Sequence, residues 1–281
     1  MVSDPMDEKR KVAWVIGGSS GLGLSIAQSL LERNYQVVIF GRDEEKLAAA
    51  AKQISTGQAA VASGNVGIRS LDVTLDSAVQ AGFEQQIQID GRLDVLVNVV
   101  GQSCRTAIQG SALSLYAQMM QVNYFTAVRC TLQALPWLIQ SQGTVVNIGS
   151  LVSKTAWPWV APYAASKSAL ASFSTGLRIE MRGQVHCLLV CPGPIARDDA
   201  EVRYQDQAAG LDAAANRPGA GAPVKAIDPK WLADRIVTAI QRQERELIVP
   251  WKSRLLFLAY AISARLGDWL LGKLSGLKKA D

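Results

Sequence analysis

One histidine, His186, occurs among 281 residues. That scarcity argues against Ser-His-Asp hydrolysis and against zinc sites, because both need an imidazole with helpers. His186 itself lies in the apolar run Val185–Cys191 and reads as a packed strand residue. Cysteine is scarce as well: Cys104, Cys130, Cys187 and Cys191 show no metal-ligand spacing. No metal is expected, and reduced thiols in a cytoplasmic setting are the simplest reading. The start, Met1 to Lys11, is polar and has no apolar core of the kind a signal peptide carries. Internal repeats and a clear linker are also lacking. With 19% charged and 49% hydrophobic residues, disorder is excluded and a large core is available.

The net charge is +5, unevenly placed. Residues 251–281 hold Lys252, Arg254, Arg265, Lys273, Lys278 and Lys279 against Asp268 and Asp281, a net +4. The remaining chain is nearly neutral. No DNA-reading motif or basic-aromatic stripe accompanies this charge, so a nucleic-acid partner is not expected. The tail is also apolar: Leu255, Leu258, Ile262, Leu266 and Trp269 share one helical face. Its unbroken apolar run is too short to span a bilayer. Two readings stay open, an amphipathic helix lying peripherally in a membrane interface or a helix covering a cleft or an oligomer contact.

Apolar runs alternate with amphipathic stretches. Val12–Ile16, Gln36–Phe40, Ile68–Val73, Leu93–Val99, Thr144–Ile148, Val185–Cys191 and Glu246–Val249 read as strands. Helical patterns lie near 22–33, 43–54, 75–88, 113–135, 162–182 and 229–243. This predicts an α/β fold: a Rossmann-like, doubly wound parallel sheet of about seven strands with helices on both faces, followed by a C-terminal amphipathic helix. Residues 1–250 form the expected catalytic domain and 251–281 the tail. Residues 194–225 are polar, rich in Gly and Ala and without period, which suits a lid over a strand end or a plain surface loop.

The first strand runs into Gly17-Gly18-Ser19-Ser20-Gly21-Leu22-Gly23 and then a helix. Gly17, Gly21 and Gly23 allow a tight turn and close backbone approach to a pyrophosphate. The helix N-terminus offers free N–H groups to that anion. The second strand ends Phe40-Gly41-Arg42, where NAD-binding chains usually place a carboxylate. Arg42 suits a 2′-phosphate instead, and Asp43 reads as the cap of the next helix. NADP(H) is therefore expected in preference to NAD(H).

Tyr163 and Lys167 stand four residues apart on one helical face. An ammonium beside a phenol favours the phenolate, which predicts a lowered tyrosine pKa and a general acid/base. Ser150 and Asn123 lie upstream.

In combination these residues resemble the short-chain dehydrogenase/reductase family, of the single-domain type, over about residues 11–250. Gly17–Gly23, including Ser19, Ser20 and Leu22, matches the cofactor turn. Asp72 and Val73 match the pair near the adenine, Asn98 to Gly101 the Asn-Asn-Ala-Gly segment, and Pro192-Gly193 the turn beside the nicotinamide. Asn123, Ser150, Tyr163 and Lys167 fall on the catalytic four. Ile16, Val99, Val100 and Arg197 depart from the usual residues. The resemblance implies hydride transfer between a nicotinamide and a carbonyl or secondary alcohol. Tyr163 would give the proton, Ser150 would hydrogen-bond the same oxygen, Lys167 would hold the ribose, and Asn123 would position a water. It also implies a homo-oligomer, a dimer or tetramer.

The greasy tail suggests a hydrophobic small-molecule substrate. Pocket candidates are Gln102, Ser103, Leu151, Val152, Trp157, Trp159 and the 194–225 loop. Trp157 and Trp159 suit an aromatic wall or plain packing. Two competing readings are a catalytically silent NADPH-binding sensor or scaffold, and a membrane-surface protein whose α/β domain is a platform.

Overall fold

The computed structural model of this chain describes residues 10–55, 65–199 and 202–275. Seven strands form one sheet: β1 (Val12–Ile16), β2 (Gln36–Gly41), β3 (Val66–Ser70), β4 (Val95–Asn98), β5 (Thr144–Ile148), β6 (His186–Pro192) and β7 (Glu246–Val249). Their order is β3-β2-β1-β4-β5-β6-β7 and every pairing is parallel. The helices are α1 (Gly21–Leu31), α2 (Glu44–Ser55), α3 (Asp76–Asp90), α4 (Leu113–Met120), α5 (Thr126–Ser141), α6 (Ala161–Glu180), α7 (Pro229–Gln241), α8 (Ser253–Ile262) and α9 (Ala264–Ser275).

Strand alternation builds two cores. Ala13, Val15, Val37 and Ile39 face α1, α2 and α7, where Ile26, Leu47 and Ile236 are wholly buried. Trp14, Ile16, Val38 and Phe40 face the other way, toward Phe83 of α3, Leu138 of α5 and Leu177 of α6. Trp14 anchors that second core, with ring centroids 5.4 Å from Phe40, 4.9 Å from Phe83 and 5.9 Å from Trp137. Apolar side chains on both faces explain why the strands read as continuous hydrophobic runs. The strand order reverses between β1 and β4, which opens a crevice at their carboxyl ends.

Several element bounds differ from the sequence expectation. The third strand starts at Val66, and the chain leaves the sheet after Ser70. The Asp72 carboxylate takes both the N–H and the hydroxyl of Thr74, which turns the chain out of the ladder. The fourth strand is trimmed to four residues. The long helix expected over 113–135 is α4 and α5 joined by a π-turn, Gln121–Phe125, and it continues through Pro136 to Ser141.

The tail is not one helix. The backbone at Ser263 is extended (φ −160°, ψ 128°) and separates α8 from α9. The two pack on each other with the Tyr260 ring against Gly267, where an added Cβ would lie 2.4 Å from the ring. The Tyr260 hydroxyl donates to Asp268 at 3.0 Å. Lys278, Lys279 and Asp281, part of the tail's charge, lie outside the described residues, as do Met1 to Lys9. No helix among the described residues is long and apolar enough to cross a membrane.

Candidate active site

The crevice is a cleft of about 1220 Å³. One end is the turn between β1 and α1. Gly17 has φ +94°, a conformation that side chains rarely adopt, and the turn curls back so tightly that a Cβ on Gly23 would lie 2.1 Å from the Gly17 carbonyl oxygen. Ser20 caps α1 in extended conformation without a side-chain hydrogen bond, and the first turn holds no acid. The N–H groups and positive dipole end of α1 are therefore unopposed by local anions.

Gly17, Ser19, Ser20, Gly21, Leu22, Gly23, Arg42, Asp72, Val73, Gly101, Pro192 and Gly193 all line the cleft. Asn98 does not. It is buried beneath, and its amide donates to Asn147 at 2.9 Å and Thr131 at 3.1 Å, bracing β4 against β5 and α5. Asp43 caps α2, accepting from the Lys46 N–H at 3.0 Å. That backbone bond holds its carboxyl below the usual range.

The Ser150 backbone follows β5 and opens a short 3₁₀ turn, Leu151–Ser153. Its hydroxyl accepts from the Val152 N–H at 3.4 Å and faces the Tyr163 phenol, whose pKa it lowers. Ser150 therefore closes a strand and faces the tyrosine at once. Tyr163 sits in the first turn of α6, half-buried on the cleft wall. Burial pushes its phenol up to about 12, against the lowering effect of the Ser150 hydroxyl.

The expected lowering by Lys167 is not found. Lys167 is buried, and its ammonium donates to the Ile148 carbonyl at 2.7 Å. Burial brings its pKa down to about 8. The cation that acts on Tyr163 is Arg105, which the sequence reading missed. Both shifts come from desolvation, which helical spacing alone does not report.

Asn123 occupies the π-turn and is fully buried away from the cleft. Its Oδ1 accepts from the Gln102 N–H at 2.7 Å; its Nδ2 donates to the Gln102 carbonyl and the Ser166 hydroxyl, each at 2.9 Å. Gly101 brings it near Lys167: a Cβ there would lie 2.9 Å from Asn123 Oδ1 and 3.2 Å from Lys167 Nζ. Asn123 thus fixes the loop beneath the cleft, and its side chain is spent on that loop.

The other half of the cleft is lined by Gln102, Ser103, Leu151, Val152, Trp157 and parts of the 194–225 segment. Trp157 donates through Nε1 to the Ala220 carbonyl at 2.9 Å, tying that segment down. Trp159 is not in the wall; it adopts φ 61° and its carbonyl accepts from the Thr106 N–H. Leu255, Leu256 and Phe257 of α8 and Leu270 and Leu274 of α9 complete the mouth. His186 is a half-buried strand residue whose Nε2 lies 2.9 Å from the Glu244 carbonyl. Among the described residues no cluster of His, Cys, Asp and Glu could hold a metal.

A family profile described as short chain dehydrogenase matches residues 11–208. Human Dehydrogenase/reductase SDR family member 7 is 30% identical over 194 residues, covering 68% of this chain and 57% of its own length. The chain thus spans little more than half of that relative. NADPH-dependent 1-acyldihydroxyacetone phosphate reductase of Saccharomyces cerevisiae is 30% identical over 207 residues, 72% of this chain and 67% of the yeast protein. A solved variant of actinorhodin polyketide ketoreductase with NADPH superposes with a TM-score of 0.73 at 28% identity, over 85% of this chain and 95% of that one. The chain belongs to the short-chain dehydrogenase/reductase family of oxidoreductases.

Proposed function

We propose that this protein is an NADPH-dependent reductase of hydrophobic carbonyl compounds. The observation that carries the reading is the placement of Ser150 and Tyr163 together on the wall of a cleft whose far end is the uncapped start of α1. The residues fit a dinucleotide. The α1 N–H groups and the Gly17–Gly23 turn would take the diphosphate, and Arg42 would take a 2′-phosphate. A nicotinamide bound there supplies hydride.

The chain's own part is proton and charge management. Burial keeps Tyr163 protonated at neutral pH, the form that must give a proton to a developing alkoxide. Ser150 offers its hydroxyl to the same oxygen, as an oxyanion-hole donor does. Lys167, pinned on Ile148, holds positive charge behind the tyrosine below about pH 8. Leu151, Val152, Trp157, Leu256 and Phe257 support an apolar substrate, and so does the acyl substrate named for the yeast relative. Loss of NADPH absorbance over ketones and aldehydes graded from polar to lipid-like tests the reading. Turnover confined to the apolar members supports it; NADPH binding with no turnover across the panel moves the protein to a silent sensor.

The cofactor preference rests on β2's end. Arg42 is exposed at the cleft, Asp43 is spent on capping α2, and Asp72 is spent on Thr74. Among the described residues that line this end of the cleft, no other carboxylate is left to bind a ribose 2′-OH. Arg42→Ala is expected to weaken NADPH at least about tenfold, roughly 1.4 kcal/mol, with little change for NADH. The ratio of the two dissociation constants checks this, and an unmutated chain that prefers NADH overturns it.

A peripheral membrane contact is part of the same reading. Leu258 (57%), Ile262 (70%) and Trp269 (54%) are exposed on α8 and α9, with Lys273 over the Trp269 ring at 4.0 Å. Apolar side chains ringed by bases suit an anionic interface. The full chain is expected to float with anionic liposomes, and a chain stopped after Pro250 to stay behind. Equal sedimentation of both discards the contact. The exposed Leu113, Phe125 and Leu132 on the α4–α5 side support a homo-oligomer.

A further inference from the structure

The cleft is strongly one-signed. Asp72 is its one acidic lining residue among the described residues, while Arg105, Arg197, Arg203, Lys225 and Lys252 line the half away from the α1 turn. Arg197 and Arg203 are paired to Asp199. Arg105 has no such partner. It is 5% exposed, yet no carboxylate among the described residues approaches it. Its Nε donates to the Ala215 carbonyl at 2.8 Å and Nη1 to the Cys104 carbonyl at 3.0 Å. Its guanidinium carbon lies 3.9 Å from the Tyr204 ring centroid, and Arg203 stands 5.7 Å from the same ring. The hydroxyls of Tyr204 and Ser103 are hydrogen-bonded, which fixes the ring.

A buried cation without a counter-charge is costly, and proteins normally pair it. Two carbonyls and a ring face compensate only in part. They use Nε and one Nη1 hydrogen of a five-donor fork; no other hydrogen bond of this guanidinium lies among the described residues. The group borders the cleft that Tyr163 also borders. The adjacent Cys104 thiol meets the Tyr163 backbone. A rigid guanidinium with free donors suits bidentate recognition of a carboxylate or phosphate.

We propose that Arg105, held over the Tyr204 ring, binds an anionic group of the substrate, so that the carbonyl compound reduced here is amphipathic: an apolar chain bearing a carboxylate or phosphate near the carbonyl. This rests on the reductase reading above. The anion supplies the missing counter-charge for Arg105. Leu256, Phe257 and Trp157 would face the chain.

The full chain with NADPH is assayed on 3-oxododecanoate and on its methyl ester, which differ in the charge and one methyl group. The acid is expected to be favoured in kcat/KM by roughly ten- to a hundredfold, the scale of a charge-assisted pair. Arg105→Gln is expected to bring that ratio close to one, Arg105→Lys to restore part of it, and the exposed control Arg242→Gln to leave it unchanged. A wild-type ratio near one, or a ratio that survives Arg105→Gln, overturns the proposal; the latter is the result of a residue that only latches the 194–225 segment. Titration of dodecanoate and dodecyl phosphate, which carry no carbonyl, decides the matter even if neither ketone is reduced. At least about tenfold weaker binding to Arg105→Gln than to the wild type keeps the anion site while the reductase reading falls. Equal binding overturns the site. Binding of the phosphate but not the carboxylate narrows the class to phosphates.

Discussion

Tyr163→Phe is expected to cut kcat by roughly 10²–10⁴-fold while the NADPH dissociation constant stays within about threefold, the range for loss of a positioned general acid. The substitution removes one oxygen from a half-buried ring on the cleft wall. The Ser150 hydroxyl that faces this oxygen keeps its contact to the Val152 N–H. No buried donor is orphaned, so stability should change by no more than about 1 kcal/mol. The cofactor end of the cleft is built from β1, α1 and Arg42 and does not touch the phenol. Activity and binding therefore separate. Single-turnover rates and NADPH fluorescence titration read the two quantities independently. A Tyr163→Phe variant that still turns over at more than a few per cent of wild type would falsify the acid assignment. Loss of NADPH binding alongside activity would mean that the hydroxyl holds the cofactor as well as the reacting oxygen.

The sheet is legible in the sequence because both faces of its central strands are covered. Val12–Ile16 is apolar throughout, and all five of its residues are buried. The cofactor turn is legible because its demands are local: glycines where φ is positive or where no Cβ fits. The chemical pair Tyr163 and Lys167 is legible by spacing, but its electrostatics are not. Spacing measures proximity along a helix, whereas the shifts come from desolvation by the surrounding fold. Lys167 is pinned on Ile148 of β5, a contact that no local pattern announces. Arg105 is missed for the same reason. Its acceptor Ala215 lies 110 residues away, in a segment without period. The tail's break is equally silent, since no Pro or Gly marks Ser263. The break is set by Tyr260 folding back onto Gly267 and Asp268, a packing event that a helical wheel does not contain. Asn98 and Trp159 lie in or near site motifs, yet one braces the sheet and the other carries a loop hydrogen bond, which for Trp159 is the packing alternative.

Gly23→Ala is expected to abolish cofactor binding, raising the NADPH dissociation constant at least about a hundredfold, close to 2.7 kcal/mol at 1.4 kcal/mol per decade. The new methyl would lie 2.1 Å from the Gly17 carbonyl oxygen and 2.9 Å from its carbon. Both are backbone atoms, and Gly17 is itself held by a 2.9 Å hydrogen bond from its N–H to the Phe40 carbonyl. The clash cannot be relieved by a rotamer; α1 and the turn must part. That displaces the N–H groups meant for the diphosphate and strains the α1–β1 packing, at a cost of about 1–3 kcal/mol in stability. Gly176→Ala in α6 is the matched control. Its Cβ would meet only the end of Glu180, at 3.9 Å, so the exchange should stabilise by up to about 1 kcal/mol through helix propensity and leave NADPH binding intact. Thermal melts with and without NADPH separate the effects. Wild type and Gly176→Ala should gain stability from the cofactor, as ligand binding to the native state requires. Gly23→Ala should melt at one temperature whether NADPH is present or absent. A Gly23→Ala protein that NADPH still stabilises would show that the diphosphate is held elsewhere than on the start of α1.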